Sequence, residues 1–253
     1  MSHAHTEEDS KLVELSRLAG GLAHEIRNPL STVNLNLQLL EEDLASSHCD
    51  QDAIRRCRRR LDRLRNEVNR LSDVLDDFLR FARMPAPVPE PHDVNDLVSD
   101  VISFAQPEAR RRDVTILSGL GSLPPCPVDP DLLKQALLNL LINAQQAMPS
   151  GGKIMVRTWA DDDGVKISVA DTGHGMDAQL IQRIFDPYVS TKPQGTGLGL
   201  PTVKRIIKEH AGRIEVHSEL NKGTSFTLAL PTAPSGATDQ QPATRDTAHD
   251  HSE

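Results

Sequence analysis

The sequence predicts a multidomain chain, an all-α helical hairpin followed by a mixed α/β domain. Three observations predict it. Between residues 11 and 83 the apolar residues recur at steps of three and four, the period of amphipathic helices. The stretch "MPAPVPEP" at 84–91 then interrupts any regular element. From 92 to 231, helical segments alternate with stretches of period two that read as strands. This divides the chain into a flexible N-terminus at 1–10, the hairpin at 11–84, a proline-rich linker at 85–91, the α/β domain at 92–231 and a disordered tail at 232–253. The tail is rich in Thr, Ala, Asp, Gln and Pro.

In the hairpin, Leu12, Leu15, Leu18, Leu22, Ile26 and Pro29 mark the first helix, continued by Val33, Leu37, Leu40 and Leu44. The second carries a heptad seam: Ile54, Cys57, Leu61, Leu64, Val68, Leu71, Leu75, Phe78 and Ala82. "ASSHCDQD" reads as the turn between them. Two helices alone leave too much apolar surface exposed, so two hairpins are expected to pack as a four-helix bundle, a homodimer. Pro29, inside "LAHEIRNPLS", removes the bond to the carbonyl of Glu25 and costs about 3 kcal/mol or more. A bend just after His24 is therefore expected, one that lets the helix change how it meets its partners.

Residues 55–70 hold eight arginines against Asp62 and Glu67. No aromatics are interleaved, so they read as a solvated helix face rather than a nucleic-acid patch. Glu41, Glu42 and Asp43 are expected to oppose them across the hairpin. The net charge of −8, with 38% hydrophobic and 25% charged residues, suits a globular protein. No run of 18 apolar residues exists, so no direct membrane span is expected, and "MSHAHTEEDS" has no signal-peptide core. Cys49, Cys57 and Cys126 form no CxxC pair and read as reduced thiols of a cytoplasmic protein. The HxH pairs His3/His5 and His249/His251 stand in polar tails and read as solvated.

In the α/β domain, residues 95–112 suggest a helix. Asp129 and Pro130 form an N-cap with proline at the first helical position, opening a helix to about Met148. "KIMVRTWA" and "VKISVAD" read as strands joined at "DDDG", and "GRIEVHSE" and "TSFTLAL" as a second hairpin around "LNKG". Asn139 and Asn143 lie one turn apart on the helix, and their amide oxygens suit a hard cation such as Mg²⁺. Alone, they fit satisfied core amides equally well. In "DTGHGM", Asp171 ends a strand, where its carboxylate can accept from an exocyclic amine such as adenine N6. Gly173 and Gly175 let backbone approach a flat ligand. Alone, this is a tight turn.

In "FDPYVSTKPQGTGLGL", Gly195, Gly197 and Gly199, with Thr196 and Leu198 between them, lead into an amphipathic helix whose free N–H groups attract phosphate. Leu200 stands where a dinucleotide fingerprint needs glycine, and no GK[ST] ends the run, so neither that fingerprint nor a P-loop is present. Lys192 can meet a terminal phosphate. Phe185 to Thr196 reads as a mobile lid.

Together and in this order, these motifs resemble the transmitter core of a bacterial two-component sensor histidine kinase, over a span from Lys11 to Pro231. "HEIRNPL" resembles the phosphoacceptor box, "NLLINA" the N box, and "DTGHGM", "FDPY" and "GTGLGL" the G1, F and G2 boxes. The resemblance implies an α/β sandwich ATPase domain of the Bergerat type, a mixed sheet on one side and three helices on the other. It implies ATP and Mg²⁺ as cofactors. Asn143 would ligate Mg²⁺ with Asn139 in support, Asp171 would bind adenine, and Gly173 and Gly175 would line its pocket. Phe185 would anchor the lid, and Gly195, Gly197 and Gly199 would let it close.

The resemblance further implies that His24 is the nucleophile, that Glu25 holds or takes its proton, and that Asn28 positions water when a partner is dephosphorylated. Neutral imidazole, with an unperturbed pKa of about 6.5, has a free lone pair at neutral pH. The implied partners are the receiver domain of a response regulator and an unidentified sensory protein. One departure is Gln146, where some members carry lysine, so charge neutralisation rests on Mg²⁺ and Lys192. The implied activity is a histidine autokinase that passes phosphate to an aspartate. A catalytically silent ATP-binding scaffold is disfavoured by His24, Glu25 and Asn143. A related kinase acting on serine of an anti-anti-sigma protein is disfavoured by the heptad hairpin. A phosphatase-dominant regulator is compatible with Asn28.

Overall fold

The computed structural model describes the backbone of residues 2–45, 51–192 and 195–232, and the side chains from Gly20 onward within those ranges except at 24, 45 and 53. Most of the expected turn, Cys49, all four HxH histidine side chains and the segment from 233 lie outside the described residues.

Helices α1 (Ser2–Ala45) and α2 (Gln51–Ala82) form the hairpin. Helix α1 starts at Ser2, so residues 2–10, expected to be a flexible N-terminus, are helical. It also continues through Pro29, which is buried. Around the proline, side chains turn back onto helix carbonyls. Ser31 Oγ donates to Arg27 O at 2.9 Å, Thr32 Oγ1 to Asn28 O at 3.4 Å, and Asn36 Nδ2 to Thr32 O at 2.8 Å. Such back-bonding accompanies local helix bending. Arg56 and Arg60 pair with Asp43, and the Arg60 guanidinium also donates to Leu39 O. Glu41 and Glu42 are exposed, so among the described residues the acidic block meets the arginines through Asp43 alone.

The heptads of α2 serve two faces. Val74 and Phe81 are buried, with Cys57, Leu64, Leu71 and Phe78 half-buried on the same side. The other ridge, Ile54, Leu61, Val68 and Leu75, is 44–55% exposed, and α1 adds Leu30, Leu37 and Leu44 at the same seven-residue spacing. Among the described residues, no helix is long and apolar enough to cross a membrane.

The α/β domain opens with β1 (Glu90–His92), antiparallel to β3 (Cys126–Val128). Between them run α3 (Val94–Arg111) and β2 (Val114–Leu120). Helix α4 (Pro130–Gln146), strands β4 (Gly152–Asp161) and β5 (Gly164–Asp171), the short α5 (Ala178–Ile181), α6 (Gly199–Glu209), and strands β6 (Arg213–Glu219) and β7 (Gly223–Leu230) follow. The large sheet has the order β2-β4-β5-β7-β6, with β2 parallel to β4 and all other pairs antiparallel. Helices α3, α4 and α6 supply the helical layer, and Leu133, Leu140, Ile154, Ile167, Ile206 and Leu228 fill the space between the layers.

Helix α4 begins as expected: Asp129 Oδ1 accepts from the N–H groups of Asp131 and Leu132, both at 3.1 Å. The same residue fixes α6. Asp129 N donates to His210 Nε2 at 2.9 Å, and His210 Nδ1, which therefore carries the hydrogen, donates to Ile206 O at 2.8 Å. A buried imidazole thus ties the end of α6 to the start of α4. Leu133 is fully buried in this layer. Leu133→Ala is expected to destabilise the domain by about 2–5 kcal/mol, measured by urea denaturation.

Candidate active site

A cleft lies beside α4, the end of β5 and the start of α6. Its walls include Asn139, Asn143, Asp171, Lys192, Gly195 and Gly199. Asp171 is placed by register, paired with Ile154 of β4 and Thr224 of β7. It is 9% exposed. Its Oδ1 accepts from Gly173 N at 2.8 Å and Thr224 N at 3.3 Å. Burial pushes its carboxyl above the ordinary range, against the pull of these amides, His174 and Lys192. Gly175 sits at φ 64°, and a side chain there would run into the carbonyl of Glu219.

Asn139 and Asn143 share the open face of α4. Asn139 Nδ2 donates to Gly199 O at 3.4 Å, linking α4 to the start of α6. Lys192 Nζ donates to Asn143 Oδ1 at 2.6 Å and to Gln146 Oε1 at 2.7 Å. The Asn143 oxygen is therefore already aimed at a cation, and this donor set fits Mg²⁺. Burial pushes the Lys192 ammonium down to about 8, opposed by the charge of Asp171.

The lid, expected to be mobile, is fastened at both ends; residues 193 and 194 lie outside the described residues. At one end Phe185 packs edge-on against Phe226 of β7, centroids 6.4 Å apart, with Lys204 Nζ 5.3 Å from its ring. At the other, Thr196 Oγ1 donates to Asp77 Oδ2 of α2 at 2.7 Å, and Leu198 is buried beside Phe81. Leu198 caps α6 without a side-chain bond, and Pro201 carries no N–H, so Gly199 and Leu200, both lining the cleft, open the helix with N–H groups that no cap side chain takes up. Asp73, Asp77 and Arg80 of α2 also line the cleft. Sequence reasoning missed them, and nothing in the heptad pattern distinguishes them from other outward polar positions.

Glu25 and Asn28 stand on α1 and are not among the cleft-lining residues. Glu25 pairs with Arg70 of α2 at 3.9 Å, and Asn28 is exposed. His24 shares this helix, within the same turn as both.

Residues 14–87 match the His Kinase A (phospho-acceptor) domain, and residues 128–234 match the histidine kinase-, DNA gyrase B-, and HSP90-like ATPase family. The sensor histidine kinase ZraS of Escherichia coli (strain K12) is 38% identical over 223 residues, 87% of this chain and 46% of that protein. Sporulation kinase C of Bacillus subtilis (strain 168) is 34% identical over 88% of this chain and 50% of its own length. The chain thus spans about half the length of these curated relatives. Among solved structures, full-length ShkA in complex with AMPPNP aligns over 87% of this chain and 47% of its own, at 30% identity and a TM-score of 0.59. Histidine kinase ThkA in complex with the response regulator protein TrrA shares the fold at 24% identity and a TM-score of 0.71, over 91% of this chain and 66% of its own.

The buried Lys192 gives a test. Its folded pKa lies below its unfolded value, so the unfolded chain binds more protons between about pH 8 and 10.5, and stability rises with pH across that window. Lys192→Met is expected to stabilise the unliganded protein at pH 7 by about 1–3 kcal/mol. The gain should shrink as the pH approaches 10.5, followed by urea denaturation at several pH values.

Proposed function

Because this chain is the transmitter core of a two-component sensor histidine kinase, we propose that it is an ATP-dependent histidine autokinase that passes its phosphoryl group to an aspartate of a response regulator. The observation that carries this reading is the convergence of Asp171, Asn143 and Lys192 in one cleft, on a chain whose α1 presents "HEIRNPL".

Asp171 holds the nucleotide through its exocyclic amine while its Oδ1 stays fixed by Gly173 and Thr224. Gly173 and Gly175 line the flat side of the base. Asn143, supported by Asn139, is the residue that would hold Mg²⁺, which supplies charge neutralisation between the phosphates. Lys192 swings from Asn143 and Gln146 to the terminal phosphate, and the opening N–H groups of α6 face the phosphate chain. His24 attacks the γ-phosphorus; the N–P bond forms as the bridging P–O bond breaks and ADP leaves. The imidazole proton passes to Glu25, whose carboxylate Arg70 steadies from the other helix.

The phosphoryl group then moves to the receiver aspartate. In the reverse mode, Asn28, exposed on the same helix, orients water for hydrolysis of the phosphoaspartate. An ATP substrate puts this chemistry on the cytoplasmic side. The exposed ridges Leu30–Leu37–Leu44 and Ile54–Leu61–Val68–Leu75 support a homodimer, in which two hairpins cover them as a four-helix bundle.

Incubation with γ-labelled ATP and Mg²⁺ is expected to give an acid-labile, alkali-stable label that His24→Ala abolishes. ATP binding without label would replace this reading with a scaffold or a phosphatase-dominant enzyme. Leu61→Asp is expected to convert the dimer to monomer at micromolar concentration, read by light scattering.

A further inference from the structure

Two glycines stand side by side in α1, one turn before His24, and their surroundings differ. Among the described residues, nothing beyond its chain neighbours and its own helix backbone lies within 4 Å of where a side chain on Gly20 would begin. At Gly21 a methyl group would fall inside the ring of Tyr188. Tyr188 belongs to the ATPase domain, and its backbone sits at φ 64°, a region that aromatic residues seldom adopt. Its N–H is held by Gly197 O at 3.1 Å. Tyr188 packs against the buried pair Phe81 and Leu198, as Phe78 does. Arg205 of α6 closes the patch, donating to Phe81 O at 2.7 Å with its guanidinium 5.2 Å from the Phe81 ring centre.

We propose that Gly21 is a docking notch for Tyr188, and that seating the ring there latches the nucleotide lid against α2. This rests on reading the cleft as a nucleotide site. With the ring seated, Thr196 spends its hydroxyl on Asp77, and Leu198, 1% exposed, is held beside Phe81. These are the residues between the glycines that must fold over a phosphate chain. Asp73 and Asp77 also line the cleft; among the described residues Asp77 pairs with Arg80 at 2.9 Å, whereas Asp73 has no ion pair. A triphosphate there would meet like charge. Seating of the latch and closure over nucleotide therefore compete for the same lid residues, and releasing the notch favours the nucleotide.

The test uses the full chain with Gly20→Ala, Gly21→Ala and Tyr188→Ala. Alanine is the better helix former at both glycine positions, so only the clash separates the first two variants. Tyr188 is the sole tyrosine, so absorbance reports it directly. Burial and Glu25 push its phenol up to about 12. At about pH 11 the parent and Gly20→Ala should remain protonated, whereas Gly21→Ala should be ionised, near the ordinary value of about 10. By calorimetry, Gly21→Ala and Tyr188→Ala should each bind Mg²⁺–AMPPNP roughly three- to tenfold more tightly than the parent, with Gly20→Ala unchanged. A parent-like phenol in Gly21→Ala, or parent-like affinity in both Gly21→Ala and Tyr188→Ala, overturns the proposal. A parent that binds no nucleotide overturns the nucleotide reading, and with it the competition at the lid, while the phenol titration still decides the notch.

Discussion

With Leu133, Ala136, Leu137, Leu140, Leu141 and Ala144 buried in the layer it shares with α3 and α6, helix α4 has no rotational freedom. Its remaining face must carry Asn139, Asn143 and Gln146 as a row along the cleft. The site's chemistry thus follows from burial of apolar residues that touch no ligand. His210 extends the constraint by joining α4's first turn to the last turn of α6, so the helix that donates N–H groups to the cleft and the helix that carries the amides move together.

The opposite wall is built differently. It comes from α2, an element of another domain, through contacts with the lid rather than through a shared core. The α/β core determines which chemistry is possible, and the hairpin determines which lid positions are available.

The sequence made the strongly patterned parts legible. Asp129 and Pro130 announce α4, and the period-two alternation of β4, β5 and β7 is visible because each buries one face. Strands β1 and β3 escaped because each is three residues long with a central proline, and β2 because only Val114 and Ile116 are buried, both at its start. Helix at residues 2–10 was hidden by polar composition. Within the site, motif residues whose partners are close in sequence were legible, such as Asp171 with Gly173. Lys192 on Asn143, Thr196 on Asp77 and Tyr188 on Gly21 join positions 49 to 167 residues apart, and no local pattern encodes them.

The connection between the domains is shorter than its proline content suggests. Arg83 N still bonds Leu79 O, and Val88 N is already held by Asp129 Oδ2 at 3.1 Å. Only Met84, Pro85, Ala86 and Pro87 lie between, a stiff tether of roughly 12 Å at about 3.1 Å per residue. A tether of that length keeps the ATPase domain beside the end of α2. The local concentration of one domain at the other is then set by the length of this tether.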